Sequence, residues 1–178
     1  MVSRMTDPFY LTLMLLAPLA GLIAYYDVKY RRIPNYLVAA ALLSGFAINA
    51  FTGGWGGLSR SLLGCLLAFA LMLVLHVFGA LGAGDVKLFA AIGAVLGTRM
   101  VFPTFLIVLI TGGAMAILTT LRAGTFKETA ERVGLIYYGL LIRWRVPTVV
   151  IPDDRKQTIP YGVAITVGSL ISLALFHL

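Results

Sequence analysis

Two aspartates in strongly apolar surroundings are the side chains of this sequence best suited to chemistry. Asp85 follows two glycines in the stretch GAGD, in the middle of a long apolar run. Asp27 lies far earlier in the chain, in the stretch YDVKY at the end of the first apolar segment. A carboxylate costs roughly 2.5–3.5 kcal/mol at the centre of a membrane helix and less at the interface, so it is usually retained for a function or an ion pair.

The chemistry open to two such carboxyl groups is hydrolysis of an amide bond. When they lie within hydrogen-bond reach they cannot both ionise cheaply, so they hold one shared proton over a range of pH. The ionised group can accept a proton from the attacking water, while the protonated group donates to the carbonyl oxygen. In the alternative interpretation the aspartates only anchor helix ends, Asp27 by pairing with Lys29 or Arg31 and Asp85 by pairing with Lys87.

The composition predicts that lipid surrounds most of the chain. Of the 178 residues, 60% are hydrophobic and 12% are charged, and the mean hydropathy is +0.97, whereas soluble domains carry roughly a quarter charged residues. The length suits a single membrane-embedded domain over residues 1–178. We expect an all-α polytopic protein with about six transmembrane helices, of which the second and fourth are short. Their predicted ranges are 8–26, 36–52, 58–78, 86–98, 101–121 and 159–177.

The distribution of basic residues predicts the orientation of these helices. If the loop 27–35 is cytoplasmic, the loop 79–87 is cytoplasmic too, because two crossings separate them, and so is the segment 122–158. Only three of the 14 Lys and Arg residues then lie outside: Arg4, Arg60 and Arg99. This positive-inside pattern places both aspartates on the cytoplasmic side and both termini outside. It also explains the net charge of +7 without a nucleic-acid partner.

The segment 126–147 mixes charges with aliphatic and aromatic residues. We expect an amphipathic helix on the cytoplasmic surface there, and a short re-entrant hydrophobic segment is the alternative. Histidine and cysteine offer little other chemistry. The single Cys65 excludes an internal disulfide, His76 and His177 are too few and too far apart for a zinc site, and no cofactor is expected. We interpret His76 as a packing residue, because no G-x-S-x-G sequence accompanies it to form a serine protease site.

The glycines of GAGD fit a peptide substrate. Gly82 and Gly84 carry no side chain, so a peptide could approach their backbone closely, and they allow a positive φ where the chain turns into the next helix. With these residues in view, GAGD followed by VKL resembles the GxGD motif of membrane-embedded aspartyl proteases. The stretch DVKYRRIPN, residues 27–35, resembles the first-aspartate motif of the type IV prepilin peptidases, and IPYGVAI, residues 159–165, is similar to that family's closing motif.

The resemblance implies a peptidase that removes the basic leader from prepilins at the cytoplasmic face of the bacterial inner membrane. Asp27 and Asp85 would be the catalytic pair, and Lys87 a supporting partner beside them. The remaining motif residues would shape the site: Gly82, Gly84, Pro34, Asn35, Pro160, Tyr161 and Gly162. Partners would be the prepilin and the lipid bilayer.

One departure from the family pattern narrows the expectation. Larger members carry an extra cytoplasmic domain with paired cysteines and also N-methylate the cleaved pilin, whereas here Cys65 stands alone. The chain is therefore similar to the compact peptidases of Flp-type, or tight adherence, pili, and methyltransferase activity is not expected. Two alternatives stay open: another GxGD protease that cuts signal or transmembrane peptides, and a small transporter in which the aspartates relay protons or cations.

Overall fold

The computed structural model describes residues 8–79, 81–122, 124, 134 and 161–176. Its helices, in chain order, are α1 Pro8–Tyr30, α2 Asn35–Val77, α3 Ala83–Leu96, α4 Thr98–Arg122 and α5 Tyr161–Phe176. This confirms the prediction of an all-α membrane protein for the described part of the chain. Apart from residue 134, the predicted surface helix at 126–147 lies outside the described residues, and so does the motif residue Pro160.

The number of candidate membrane spans is smaller than the six predicted. Within the described residues, three helices are long and apolar enough to cross a membrane: α1 from Tyr10, α2 and α4. One reason is that α2, with 43 residues, contains both the second and the third predicted helix. The other is that α3 and α5 have only 14 and 16 residues, fewer than the ~20 of a full span.

α2 reverses its direction at Gly54, so its two arms, residues 35–53 and 55–77, lie side by side. Gly54 has φ 55° and ψ −141°, which is backbone geometry that residues with a side chain rarely adopt. A Cβ atom added to Gly57 would collide with the backbone of Asn49. In a straight helix those residues would be about 12 Å apart, so the chain must fold back between them. The break between the second and third predicted helices, residues 53–57, thus contains a sharp kink at one glycine.

Both arms of α2 pack closely against α3. A Cβ at Gly45 would come 2.8 Å from the backbone nitrogen of Val95, and one at Gly64 would collide with the Gly93 carbonyl. Helices in lipid gain van der Waals contact when small residues allow such close approach. α3 is consequently the most enclosed element, and its buried side chains include Leu88, Phe89 and Ile92.

Hydroxyl and amide side chains add polar links between these helices. Asn49 Nδ2 donates to the carbonyls of Ala94 and Val95, at 3.0 and 3.1 Å, and Ser61 Oγ donates to the same Ala94 carbonyl. The Ala94 carbonyl, near the C-terminal end of α3, therefore accepts hydrogen bonds from both arms of α2.

α4 and α5 are linked in the same way. The hydroxyls of Thr104 and Ser172 lie 2.7 Å apart, and both side chains are fully buried. Thr111 Oγ1 donates to the Ala164 carbonyl at 3.2 Å. Because hydroxyls that would be costly in hydrocarbon find partners on the neighbouring helix, α5 is held in a fixed register against α4.

The contacts divide the chain into two compact units. One contains residues 1–112 and 160–178, and the other contains residues 113–159. All the helix contacts described above lie within the first unit. In the second, Thr119 and Thr120 hydrogen-bond carbonyls of their own helix. The proposal of a single domain over residues 1–178 stays a prediction.

Candidate active site

Asp27 lies in the last turn of α1 and reaches the start of α5. The helix runs to Tyr30, four residues further than predicted, so Asp27 belongs to the last turn of the helix and does not follow it. Its side chain is only 7% exposed, and its Oδ2 accepts the backbone N–H of Val163 at 3.3 Å. The N–H of Gly162 also faces this carboxylate. Unpaired N–H groups at a helix N-terminus stabilise an anion, which makes this position suitable for a carboxylate.

Gly162 is the residue that admits the Asp27 carboxylate to this position. It is buried, and a Cβ placed on it would lie 2.8 Å from Asp27 Oδ2 and 3.1 Å from Ile33. Any side chain at position 162 would therefore displace the carboxylate or the helix. The predicted shaping role of Gly162 thus has a physical basis in this contact.

Asp85 lies in the first turn of α3 and is half-buried. Its Oδ2 accepts the backbone N–H of Gly82 at 3.2 Å, as the third helical residue does in a capping box. Asp85 lies outside the three candidate spans. Burial raises the pKa of its carboxyl to about 6, and the nearby charge of Asp27 adds to the increase.

The two carboxylates thus lie near each other at two helix N-termini, that of α5 for Asp27 and that of α3 for Asp85. They interact electrostatically but do not hydrogen-bond each other directly. Asp85 also interacts with Tyr161, the first residue of α5. The structure therefore brings together groups from the first, middle and last motifs of the sequence.

The interpretation as ion-pair anchors receives no support from this geometry. Within the described part of the chain, neither aspartate forms a direct ion pair with a Lys or Arg. Lys29 donates instead to the Tyr25 hydroxyl at 2.7 Å and lies over the rings of Tyr25 and Tyr30. Arg31 acts on Asp27 only as a nearby charge.

Gly82 and Gly84 are both exposed, as close approach by a peptide would require. Their backbone conformation differs from the expectation, because Gly82 is extended with φ −76° and Gly84 is helical. The positive φ in this region belongs to Gly79, at 75°, because that residue ends the turn after α2 while the N-cap of α3 needs extended geometry.

The remaining predicted motif residues lie around the ends of the helices. Pro34 is the N-cap of α2, and its carbonyl accepts the N–H of Leu37 at 3.1 Å. Asn35 is the first residue of α2 and is exposed. Lys87 is also exposed and contributes no hydrogen bond within the described ranges, so its supporting role stays a prediction.

The sequence interpretation missed His76. Its Nδ1 lies 2.7 Å from the carbonyl oxygen of Leu81, and its ring interacts electrostatically with Asp85. A histidine nine residues before an aspartate, with glycines between them, carries no recognised pattern. Only the turn between α2 and α3 brings the two together.

The described residues contain no cluster of three His, Cys, Asp or Glu side chains that could hold a metal ion. The predicted absence of a metal or cofactor remains a prediction. Cys65 is partly buried on the second arm of α2.

The fold and the site define a multi-pass helical membrane protein with an acidic pair near the ends of its helices. The chain belongs to the type IV leader peptidase family, whose profile matches residues 14–117. That range is more than half of the chain and includes Asp27 and Asp85. Membership confirms the expected family.

A curated relative is similar over part of its length. The prepilin leader peptidase/N-methyltransferase of Bacillus subtilis (strain 168) is 33% identical over 109 residues, which cover 55% of this chain and 41% of the relative. The chain thus matches less than half of that protein. No solved structure matches the chain significantly.

Proposed function

We propose that the protein is a membrane aspartyl endopeptidase that removes the leader peptide from prepilins. Family membership supports peptidase activity, and the name of the B. subtilis relative supports a prepilin as the substrate. The observation that supports the mechanism is that Asp27 and Asp85, from distant parts of the chain, both lie near the start of α5. Asp27 accepts the Val163 N–H there, and Asp85 interacts with Asp27 and Tyr161.

The two aspartates have different environments, which suggests different roles. With a pKa of about 6, Asp85 keeps its proton between about pH 4 and pH 6, where an ordinary aspartate is already ionised. We assign Asp85 as the general acid that donates to the carbonyl oxygen of the scissile amide. Asp27 is then the general base that accepts a proton from the attacking water. The pair would titrate as a unit once substrate brings the groups closer.

The substrate would approach from the exposed side of Gly82 and Gly84. A prepilin has a basic leader and a hydrophobic helix, so its cleavage site lies where that helix meets the cytoplasm. The positive-inside pattern predicts that Asp27 and Asp85 lie on the cytoplasmic side as well. We therefore propose cleavage at the cytoplasmic face of the inner membrane. The single Cys65, where larger family members carry paired cysteines, favours a Flp-type prepilin and argues against N-methylation by this chain.

The test is cleavage of a Flp-type prepilin co-expressed with the protein, followed by the mobility shift that loss of the leader produces. We expect Asp27→Asn and Asp85→Asn each to reduce cleavage below detection while membrane insertion persists. Asp7→Asn, the same chemical change outside both aspartate motifs, should cleave like wild type.

Three outcomes would redirect the proposal. Normal cleavage by either variant of the pair removes that residue from the chemistry. If wild type ignores prepilin but cleaves signal or transmembrane peptides, the broader GxGD protease is correct. If it cleaves neither but moves protons or cations in proteoliposomes, the aspartates belong to a relay.

A further inference from the structure

One peptide group connects His76 to Asp85. The carbonyl oxygen of the Leu81–Gly82 peptide bond lies 2.7 Å from His76 Nδ1. The N–H of the same peptide group, on Gly82, donates to Asp85 Oδ2 at 3.2 Å. A single planar amide is therefore hydrogen-bonded on one edge to an imidazole and on the other to the carboxylate.

The direction of the imidazole hydrogen bond follows from the groups present. A backbone carbonyl can only accept, so Nδ1 must carry the proton and donate. This fixes the tautomer when His76 is neutral, with the hydrogen on Nδ1 and the lone pair on Nε2. Leu81 is buried, and its carbonyl would be costly to leave without a partner in this setting.

His76 also holds the turn that presents the GAGD segment. It lies in the last turn of α2, and its own carbonyl accepts the N–H of Gly79 at 2.9 Å. Gly79 then turns the chain with a positive φ. Backbone and side chain of His76 thus contact both sides of the turn, which limits how far the Leu81–Gly82 peptide can rotate.

Rotation of that peptide group would change the environment of Asp85 directly. Because the amide is planar, any movement of the Leu81 carbonyl moves the Gly82 N–H by a similar angle. Donation by His76 also polarises the amide and strengthens the N–H as a donor. Burial is the main influence on the pKa of Asp85 and raises it, while Gly82 N–H and His76 both act to lower it.

We propose that His76 is a positioning residue that acts on Asp85 through the Leu81–Gly82 peptide group. The inference rests on the proposed function, because it concerns the carboxyl group assigned as the general acid. It concerns orientation of that carboxyl group and gives His76 no contact with the substrate.

The activity test compares His76→Asn with His76→Leu. The amide nitrogen of asparagine occupies nearly the position of Nδ1 and can still donate to Leu81, whereas leucine fills the space without a donor. We expect His76→Leu to lower kcat for prepilin cleavage about tenfold, in line with the loss of one hydrogen bond. KM should stay within about twofold, and His76→Asn should recover most of kcat. Equal kcat values for the two variants would overturn the proposal.

A second measurement tests the inference without any activity. In an NMR experiment that correlates a labelled carbonyl with the labelled amide that follows it, leucine labelled at its carbonyl and glycine labelled at its amide reveal only Leu–Gly peptide bonds. In this sequence these bonds precede Gly64, Gly82 and Gly97. We expect His76→Leu to shift the Gly82 amide resonance, His76→Asn to restore it, and the signals of Gly64 and Gly97 to stay in place. An unchanged Gly82 signal would overturn the role of His76 even if wild type proved inactive on prepilin. Prepilin cleavage that Asp85→Asn leaves intact would instead contradict the proposed function.

Discussion

Asp27 obtains its hydrogen-bond partners from the far end of the chain. Its carboxylate lies against the first residues of α5, where Val163 donates an N–H at 3.3 Å and Gly162 leaves the necessary space. A carboxylate at the C-terminal end of its own helix would be unfavourable, because partial negative charge accumulates there. The positive end of α5 offsets this, which couples the acid to the position of the last helix.

We predict that Gly162→Ala impairs catalysis without weakening helix formation. Alanine favours a helix by about 1 kcal/mol over glycine, but its Cβ would lie 2.8 Å from Asp27 Oδ2. Displacement of a catalytic group by about 1 Å can cost about 100-fold in rate. The kcat for prepilin cleavage should therefore fall by about tenfold to 100-fold.

Gly21→Ala is the matched control for this change. A Cβ at Gly21, which lies on α1, would meet no atom within 4 Å, so its kcat should equal that of wild type. If Gly162→Ala also retains full activity, the proposed position of the Asp27 carboxylate is wrong.

At the level of single residues, the sequence identified the acids but not their hydrogen-bond partners. Asp27 and Asp85 could be selected because carboxylates are rare in such apolar surroundings. The contact between Asp27 and Val163 could not be predicted, because it depends on how α1 and α5 pack. His76 was interpreted as a packing residue for a similar reason, since its bond to Leu81 exists only after the chain has turned.

At the level of elements, α3 is positioned by the two arms of α2. Asn49 on the first arm and Ser61 on the second both donate to the carbonyl of Ala94, close to the C-terminal end of α3. Asp85 lies at the opposite end of this short helix. These hydrogen bonds from Asn49 and Ser61 therefore fix the axis along which the Asp85 carboxylate is presented.

We predict that Asn49→Leu lowers the stability of the protein. The change removes the hydrogen bonds from Nδ2 to Ala94 and Val95. Hydrogen bonds between membrane helices contribute about 0.6 kcal/mol on average, so the loss of both should cost about 1 kcal/mol. Unfolding of the purified protein in mixed detergent micelles measures this difference.

Thr52→Val provides the comparison for Asn49→Leu. Thr52 is exposed, and its hydroxyl bonds only the Ile48 carbonyl of its own arm, so this variant should be nearly as stable as wild type. Equal stability of the two variants would show that the hydrogen bonds from Asn49 do not hold α3 in place.

The elements could be predicted better than their connections. Hydropathy predicted the apolar segments correctly and left a turn over residues 53–57, between the second and third predicted helices. The sequence could not show that the turn narrows to Gly54, because that depends on the contact of Gly57 with Asn49 across the hairpin. α3 is short, as predicted for the fourth helix, and most of its side chains are buried.

For the molecule as a whole, the number of membrane crossings between the two aspartates decides whether they lie on the same side. Two arms of α2 separate α1 from α3, so the chain returns to the side from which it left. The end of α1 and the beginning of α3 then lie on the same side, as the distribution of Lys and Arg also predicts. Arg99, at the start of α4, lies at the other end of α3, roughly 20 Å from Asp85 for a helix of this length.

A cross-link between positions 27 and 85 tests directly whether the two aspartates lie close together. Cys65 is the only cysteine, so Cys65→Ser provides a background in which Asp27→Cys and Asp85→Cys can be combined. A pair of Asp27→Cys with Arg99→Cys is the control. We predict that a bismaleimide much shorter than α3 joins positions 27 and 85 within one chain in native membranes, as detected by mass spectrometry, and leaves the control pair unlinked. Linkage of position 27 to position 99 but not to position 85 would contradict the proximity of Asp27 and Asp85.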